Sequence, residues 1–254
     1  MKEKKKLGTM SQSAKKIRLA LLISGSGTTM QAIISACKDG RLPKVDPVLV
    51  IASSKNAGGI ALASTFGFQK ENIVVLDPKD FKSKESFGEA IIAECKNRKV
   101  NLVGQYGWII LTPENVIKKF KGKIINQHPG PLDEGRPDFG GKGMYGIRVH
   151  QTRLEFVKRT NRDFWTEATT HFVTEEFDKG AVIKKEKVPI LADDTAEALQ
   201  MRVLQMEYEV QIKALKDFSN DKVKEIHRKV PLVLPGEEKI LEECKKLAIK
   251  MYPK

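Results

Sequence analysis

The chain contains no apolar run approaching the roughly 18 residues that cross a bilayer as a helix, so no transmembrane helix is expected. The basic start, Met1-Lys2-Glu3-Lys4-Lys5-Lys6, leads into Ser11, Gln12, Ser13 and Lys15-Lys16 rather than an apolar signal region, which argues against secretion. Cysteine is scarce. Cys37, Cys95 and Cys244 lie far apart, without metal-ligand spacing, and an odd count argues against a disulfide framework. A reducing cytoplasm fits best, with each thiol an inert helix residue. Aromatics make up 7% of the chain and rarely interleave with its lysines, so the stacking platform that binds single-stranded nucleic acid is not visible.

Acidic residues are also in deficit: 45 Lys and Arg against 32 Asp and Glu give a formal charge of +13. A basic protein attracts polyanions. Yet much of the excess sits at the ends, at Lys2, Lys4, Lys5, Lys6, Lys15 and Lys16 and again at Lys245, Lys246, Lys250 and Lys254. Such runs read as solvated tails, and charge alone supports only non-specific attraction. Nucleic acid is therefore a disfavoured partner. A small phosphorylated substrate would profit from the same field.

What is present is a repeating strand–helix pattern. Residues 17–23 form a nearly continuous apolar run, the mark of a strand buried on both faces of a parallel sheet. Ser24-Gly25-Ser26-Gly27-Thr28-Thr29 follows, then an amphipathic helix from Met30 that ends by Gly40. This unit presents free N–H groups and a positive helix end to a phosphate. It lacks the third glycine of the dinucleotide fingerprint and the lysine of the nucleoside-triphosphate loop, so it suits a monophosphate better than NAD or ATP. A plain strand-to-helix turn would look similar.

The alternation continues with strands at 47–52, 73–76, 100–104 and 124–126, and helices at 59–67, 83–98 and 113–120. Phe87, Ile91 and Cys95 share one face of the longest of these helices. Residues 169–174 and 181–188 read as an antiparallel edge hairpin. Asp193-Asp194-Thr195 caps a long helix from 196 to about 218. The expected fold is a single α/β domain, a doubly wound, Rossmann-like, mostly parallel sheet with helices on both faces and an antiparallel C-terminal hairpin. Its expected limits are a basic tail at 1–16, the domain at 17–218 and an extension at 219–254, with a charged helix at 237–251.

In Ile124-Ile125-Asn126-Gln127-His128-Pro129-Gly130-Pro131-Leu132 an apolar strand delivers Asn126 and His128 to its end and stops at once. Alternate strand residues point the same way, so both can face one site. An amide donor beside a group titrating near neutrality suits a reaction in which charge builds on oxygen while a proton moves. Ligands of such sheets bind at the C-terminal strand ends, where the glycine turn also belongs. Residues 133–146 add Gly135, Gly140, Gly141, Gly143 and Gly146, a segment expected to be mobile and functional or disordered, with a helix beginning near His150.

Three stretches, residues 22–33, Ile125-Asn126-Gln127-His128-Pro129, and His171-Phe172-Val173-Thr174-Glu175-Glu176-Phe177-Asp178-Lys179-Gly180, occur in that order. The set resembles the folate-dependent phosphoribosylglycinamide formyltransferases of purine synthesis, over about residues 17–218. The resemblance implies catalytic roles for Asn126, His128 and Asp178, with Asp178 favouring an imidazolium at His128 and holding a proton-relaying water. It implies a substrate phosphate on Gly27, Thr28 and Thr29 and a ribose held by Glu207. It places the pterin of the co-substrate, 10-formyltetrahydrofolate, against Trp108, Ile109, Ile110 and Leu111 and against Val173, Thr174, Glu175 and Asp178. No metal is implied. Read without the resemblance, Trp108 and its neighbours are ordinary core and Glu207 a solvated helix charge.

Two departures stand out. Gly130-Pro131-Leu132 replaces the Ser-Leu-Leu usual after His-Pro, and the glycine-rich segment, with Arg136, Lys142, Tyr145 and Arg148, is longer than usual. A family histidine is replaced here by Arg148 or Tyr145. Other acceptor amines stay open, a nucleotide-linked amino sugar or methionyl-tRNA among them, although the tail is too short for the extra barrel of a methionyl-tRNA formyltransferase. A folate- or nucleic-acid-binding protein without turnover is the alternative from another class. The oligomeric state is open, a homodimer included.

Overall fold

A computed structural model describes residues 16–253. The basic stretch before Lys16, and Lys254, lie outside the described residues. In chain order the elements are β1 Ile17–Ile23, α1 Thr28–Lys38, β2 Val45–Ala52, α2 Gly59–Thr65, β3 Ile73–Val75, α3 Lys84–Asn97, β4 Leu102–Gln105, α4 Glu114–Lys119 and β5 Ile124–His128. Then follow α5 Ile147–Thr160, β6 Trp165–Phe172, β7 Val182–Pro189, α6 Ala196–Ser219 and α7 Glu238–Met251. The strands form one seven-stranded sheet in the order β3-β2-β1-β4-β5-β6-β7. Pairing is parallel from β3 through β5 and antiparallel from β5 through β7.

The apolar run of β1 is continuous because both of its faces are covered. Leu19, Leu21 and Ile23 pack into the cluster that includes Met30 and Ile33 of α1 and Ile212 and Leu215 of α6. Ala20 and Leu22 face Phe87 and Ile91 of α3 and Val116 of α4. Burying one such Leu or Ile is worth about 1.5–3 kcal/mol, so a central strand of this kind anchors the sheet. Strand order reverses between β1 and β4, which opens the crevice where a doubly wound sheet binds its ligand.

Local chemistry sets most helix starts. Ser83 accepts from the Ser86 N–H, and the Ser86 side chain answers the Ser83 N–H, a capping box for α3. The Thr195 hydroxyl accepts from the Ala198 N–H at 3.2 Å to begin α6. The strand expected from Val100 starts at Leu102 instead. Lys99 turns the chain at φ 53, and the Asn101 amide oxygen is taken by the Arg18 N–H at 2.9 Å. Helix α5 begins at Ile147, three residues before His150, immediately after Gly146.

β6 and β7 form the expected antiparallel hairpin at the sheet edge, with β7 outermost, and β6 starts at Trp165, earlier than the expected 169. Its polar residues are buried, Thr169 and Glu167 with partners and the Thr166 and Thr170 hydroxyls with none among the described residues. Thr169 Oγ1 donates to the Gly130 carbonyl at 2.8 Å, and Glu167 takes the Arg228 guanidinium and Lys185. The glycine-rich segment is packed, with Leu132, Asp133, Asp138, Phe139 and Gly140 buried. Phe139 and Met144 join Val149 and Phe156 of α5 in a cluster closed by Leu232, Val233, Leu241 and Cys244. The residues after 219 thus form a layer over α5 and the glycine-rich segment.

Candidate active site

The glycine turn between β1 and α1 is fixed by a close approach. Gly27 has φ 75, and a Cβ there would lie 2.8 Å from the Gly59 Cα. No side chain caps α1, so its first N–H groups stay unpaired toward the cleft, as a helix end requires of an anion site. The Ser24 hydroxyl accepts from the Ser53 hydroxyl at 2.7 Å and from the Ile109 N–H at 3.2 Å, tying this turn to the segment after β4. The turn forms one wall of a cleft of about 750 Å³, well within the roughly 300–1,000 Å³ typical of small-molecule sites.

At the other end stand Asn126 and His128, two positions apart on β5, with His171 opposite Asn126 on β6. Asp178 enters from the turn after β6 with φ 58, a left-handed backbone that Asp tolerates better than most residues. Asn126 Nδ2 donates to Asp178 Oδ1 at 3.3 Å and meets His171 Nε2 at 3.1 Å. His128 Nδ1 lies 3.5 Å from Asp178 Oδ2. The Gly141 N–H donates to that same oxygen at 3.0 Å. His171 Nδ1 lies 2.8 Å from the Phe172 carbonyl, which assigns its proton there and leaves Nε2 to accept from Asn126.

Burial pulls the His128 pKa below its ordinary value, against Asp178, which favours the charged ring, and with His171, which disfavours it. For Asp178 burial works toward the neutral acid. The two imidazoles and the Gly141 N–H override it and hold the carboxyl well below the usual range. The resting pair is thus a carboxylate beside a neutral imidazole. Asp178 favours the imidazolium, as expected, while burial and His171 work against it.

Gln127, between the catalytic candidates, donates from Nε2 to Glu207 Oε1 of α6 at 2.7 Å. Glu207 is buried rather than solvated, and burial pushes its pKa up to about 8, with Gln127 opposing. Trp108 is both core and lining: it stacks on Phe87 at 6.4 Å, while its ring N–H has no protein partner. Ile109, Ile110 and Leu111 line the cleft, as do Val173 and Thr174. Glu175 does not. Arg148 turns away, donating from Nε to the Tyr252 carbonyl at 2.8 Å, whereas Tyr145 stays in the lining.

Three participants were not singled out in the sequence. His171 lay inside a quoted motif, and only the β5–β6 register reveals that it faces Asn126. Gln127 lay inside the Asn126–His128 motif with no role assigned to it. His150 lines the cleft with Nδ1 unpartnered, its pKa pushed down to about 3 by burial and then by His128. Among the described residues no group of three or more His, Cys, Asp or Glu forms a metal cage. Burial raises the Cys37 and Cys95 thiols to about 12 and Cys244 to about 11, so none is a ready nucleophile.

Residues 17–215 match the family described as formyl transferase. The chain is similar to the chloroplastic phosphoribosylglycinamide formyltransferase of Arabidopsis thaliana, 31% identical over 226 residues that span 88% of this chain and 72% of the relative. It is similar to the phosphoribosylglycinamide formyltransferase of Haemophilus influenzae, 30% identical across 82% of this chain and 89% of that one. Among solved structures, glycinamide ribonucleotide transformylase 1 of Symbiobacterium toebii superposes with a TM-score of 0.72 at 28% identity, covering 83% of this chain and 94% of that one. The same enzyme of Geobacillus kaustophilus gives 0.69 at 32% identity, covering 80% and 98%. With a match that runs from β1 into α6 and takes in both the glycine turn and the Asn126–His128–Asp178 cluster, the chain belongs to the formyl transferase family, among its phosphoribosylglycinamide formyltransferases.

Proposed function

We propose that this protein transfers the formyl group of 10-formyltetrahydrofolate to the primary amine of glycinamide ribonucleotide in purine synthesis. One observation carries the reading: an uncapped helix end and the Asn126–His128–Asp178 cluster share a single cleft. The N–H groups at Gly27, Thr28 and Thr29 hold the substrate phosphate. Glu207, oriented by Gln127, meets the ribose hydroxyls. Trp108 through Leu111 and the Val173–Thr174 segment accept the flat pterin, whose polar edge suits the unpaired Trp108 N–H.

The folate supplies the formyl carbon, whose bond to the folate nitrogen breaks as the bond to the acceptor amine forms. With substrate bound, Asn126 turns the amide N–H that it gives to Asp178 at 3.3 Å, the longer of its two bonds, onto the carbonyl oxygen as charge builds there, an interaction of the kind that contributes about 10²–10³ in rate. His128 is neutral at rest, so it can accept the proton released by the amine, and Asp178 beside it stabilises the imidazolium. The proton ends on the leaving nitrogen. No covalent nucleophile is required. Among the described residues no helix is long and apolar enough to cross a membrane, in keeping with small polar substrates.

The test follows folate absorbance with and without glycinamide ribonucleotide, with product mass measured. Acceptor-dependent loss that yields the formylated product is expected. Loss without acceptor would indicate a hydrolase, and no loss in either case would overturn the assignment and turn attention to amino sugars and methionyl-tRNA. The glycine-rich segment, which supplies Gly141 through Gly146 to the lining, would then be the part that selects another amine.

A further inference from the structure

Helix α7 lies beyond the 17–215 match to the family, yet one of its side chains reaches to within a single peptide group of Asp178. Leu241, Cys244 and Ala248 form the buried stripe of α7, and Leu241 and Cys244 pack in the cluster that holds Phe139 and Phe156. That packing carries Lys245 inward, where its Nζ donates to the Gly140 carbonyl at 3.0 Å. The next N–H along the chain, that of Gly141, belongs to the same peptide group and donates to Asp178 Oδ2 at 3.0 Å. The backbone here lies directly against the carboxylate: a Cβ on Gly140 would come within 2.6 Å of both the Asp178 Cβ and Leu132 Cδ2.

The peptide is anchored from both sides. The Gly140 N–H donates to Asp138 Oδ1 at 3.1 Å, and Asp138 Oδ2 accepts from the Asp133 N–H at 3.1 Å. Arg148, from the first turn of α5, donates to the carbonyls of Gly143 and of Tyr252 just past α7. The charged groups facing Lys245 are Asp138 and Lys179 across the loop, Glu242 on its own helix, and Asp178. Those facing Asp178 are His128 on β5 and His171 on β6.

We propose that Lys245 is a positioning residue for Asp178, polarising the Gly140–Gly141 peptide so that its N–H holds the catalytic carboxylate in place and in its ionised form. A donor at a carbonyl strengthens the hydrogen bond made by the N–H of the same amide. The ammonium also adds a positive charge to a buried cluster of one carboxylate and two imidazoles. Removing it makes the Asp178 carboxylate easier to protonate and the His128 imidazole easier to charge, so both titrations move to higher pH. The catalytic role of Asp178 rests on the function proposed above. The titrations do not.

The test uses the full chain with Lys245→Met, Lys245→Gln and Lys245→Arg, and with the exposed Lys246→Met as control. Ring resonances of His128 are followed against pH without substrate. Kinetics with glycinamide ribonucleotide follow. In Lys245→Met and Lys245→Gln the His128 midpoint should rise by about half a unit. Turnover should fall roughly tenfold with both KM values little changed, a loss confined to the transition state. Lys245→Arg should recover most of both effects, and Lys246→Met should show neither. Should Lys245→Met fold poorly, Lys245→Gln decides, since it keeps a donor and removes only the charge. Unmoved midpoints in a folded, charge-free variant would overturn the proposal. Moved midpoints in a protein that fails to formylate glycinamide ribonucleotide would uphold the coupling and overturn only the substrate.

Discussion

Gln127 Nε2 donates to Glu207 Oε1 at 2.7 Å, joining the strand that carries Asn126 and His128 to the middle of α6. Among the described residues it is the only hydrogen bond of that buried carboxyl to another side chain, and it does not offset the cost of burying the charge. A carboxyl in this condition holds its proton near neutrality, so it can both donate to and accept from a ribose hydroxyl.

Glu207 therefore makes stability depend on pH in an uncommon direction. Its pKa rises from 4.5 to about 8 on folding, so between those values the folded chain binds more protons than the unfolded one. The contribution of the group is fully present below pH 4.5 and is lost as pH rises through about 8. Glu207→Gln keeps the shape and the acceptor oxygen without a proton to lose. The variant should match the wild type in thermal stability near pH 5 and exceed it near pH 9 by an amount on the order of 2–4 kcal/mol. Parallel stability curves across that range would show that Glu207 is ionised in the folded protein.

Asp178→Asn and His128→Ala test the catalytic cluster. Asn is one of the few residues that accept the left-handed backbone at position 178, so the turn should persist while the charge disappears. Turnover should fall about 10²–10⁴ in each variant, the range for losing a general acid–base partner. In Asp178→Asn the melting temperature at pH 7 should fall, since a carboxyl held below its usual range contributes stability there, while the KM for folate should change little. Rates within a few-fold of wild type would remove these residues from the mechanism.

The sequence revealed the parts of the fold governed by short-range rules. β1 was visible because an apolar run covered on both faces is continuous, α3 because Phe87, Ile91 and Cys95 share one face, and α6 because Thr195 caps it. The glycine turn and the Asn126-x-His128 pair were visible because turn chemistry and strand period place them. The depth at which β6 is buried was not visible. Its run Thr166-Glu167-Ala168-Thr169-Thr170-His171 is polar, and nothing local says that a guanidinium 61 positions away will meet Glu167. The docking of residues 222–252 over the glycine-rich segment was hidden for the same reason. Such contacts depend on single long-range pairs, which leave no period in the sequence.

Arg228 is the pair that fastens this layer, and its loss should be felt in the whole domain. Its Nη1 donates to Glu167 Oε1 at 3.2 Å, its Nη2 reaches the other carboxylate oxygen, and its Nε donates to the Leu132 carbonyl at 2.7 Å. Glu167 is 0% exposed, so removing the guanidinium leaves a buried charge with only Lys185, at 3.5 Å, to balance it. Breaking one side of such a pair costs about 3–5 kcal/mol, and the remaining lysine should keep Arg228→Met near the lower end. Replacing both partners removes the stranded charge, so Arg228→Met with Glu167→Met should recover much of the loss despite losing two more hydrogen bonds. Urea denaturation at pH 7 of the two single variants and the double variant measures the coupling directly. If Arg228→Met lies within about 0.5 kcal/mol of wild type, the ion pair is not what holds the C-terminal layer. The apolar cluster of Phe139, Phe156, Leu232 and Leu241 would then carry that docking by itself.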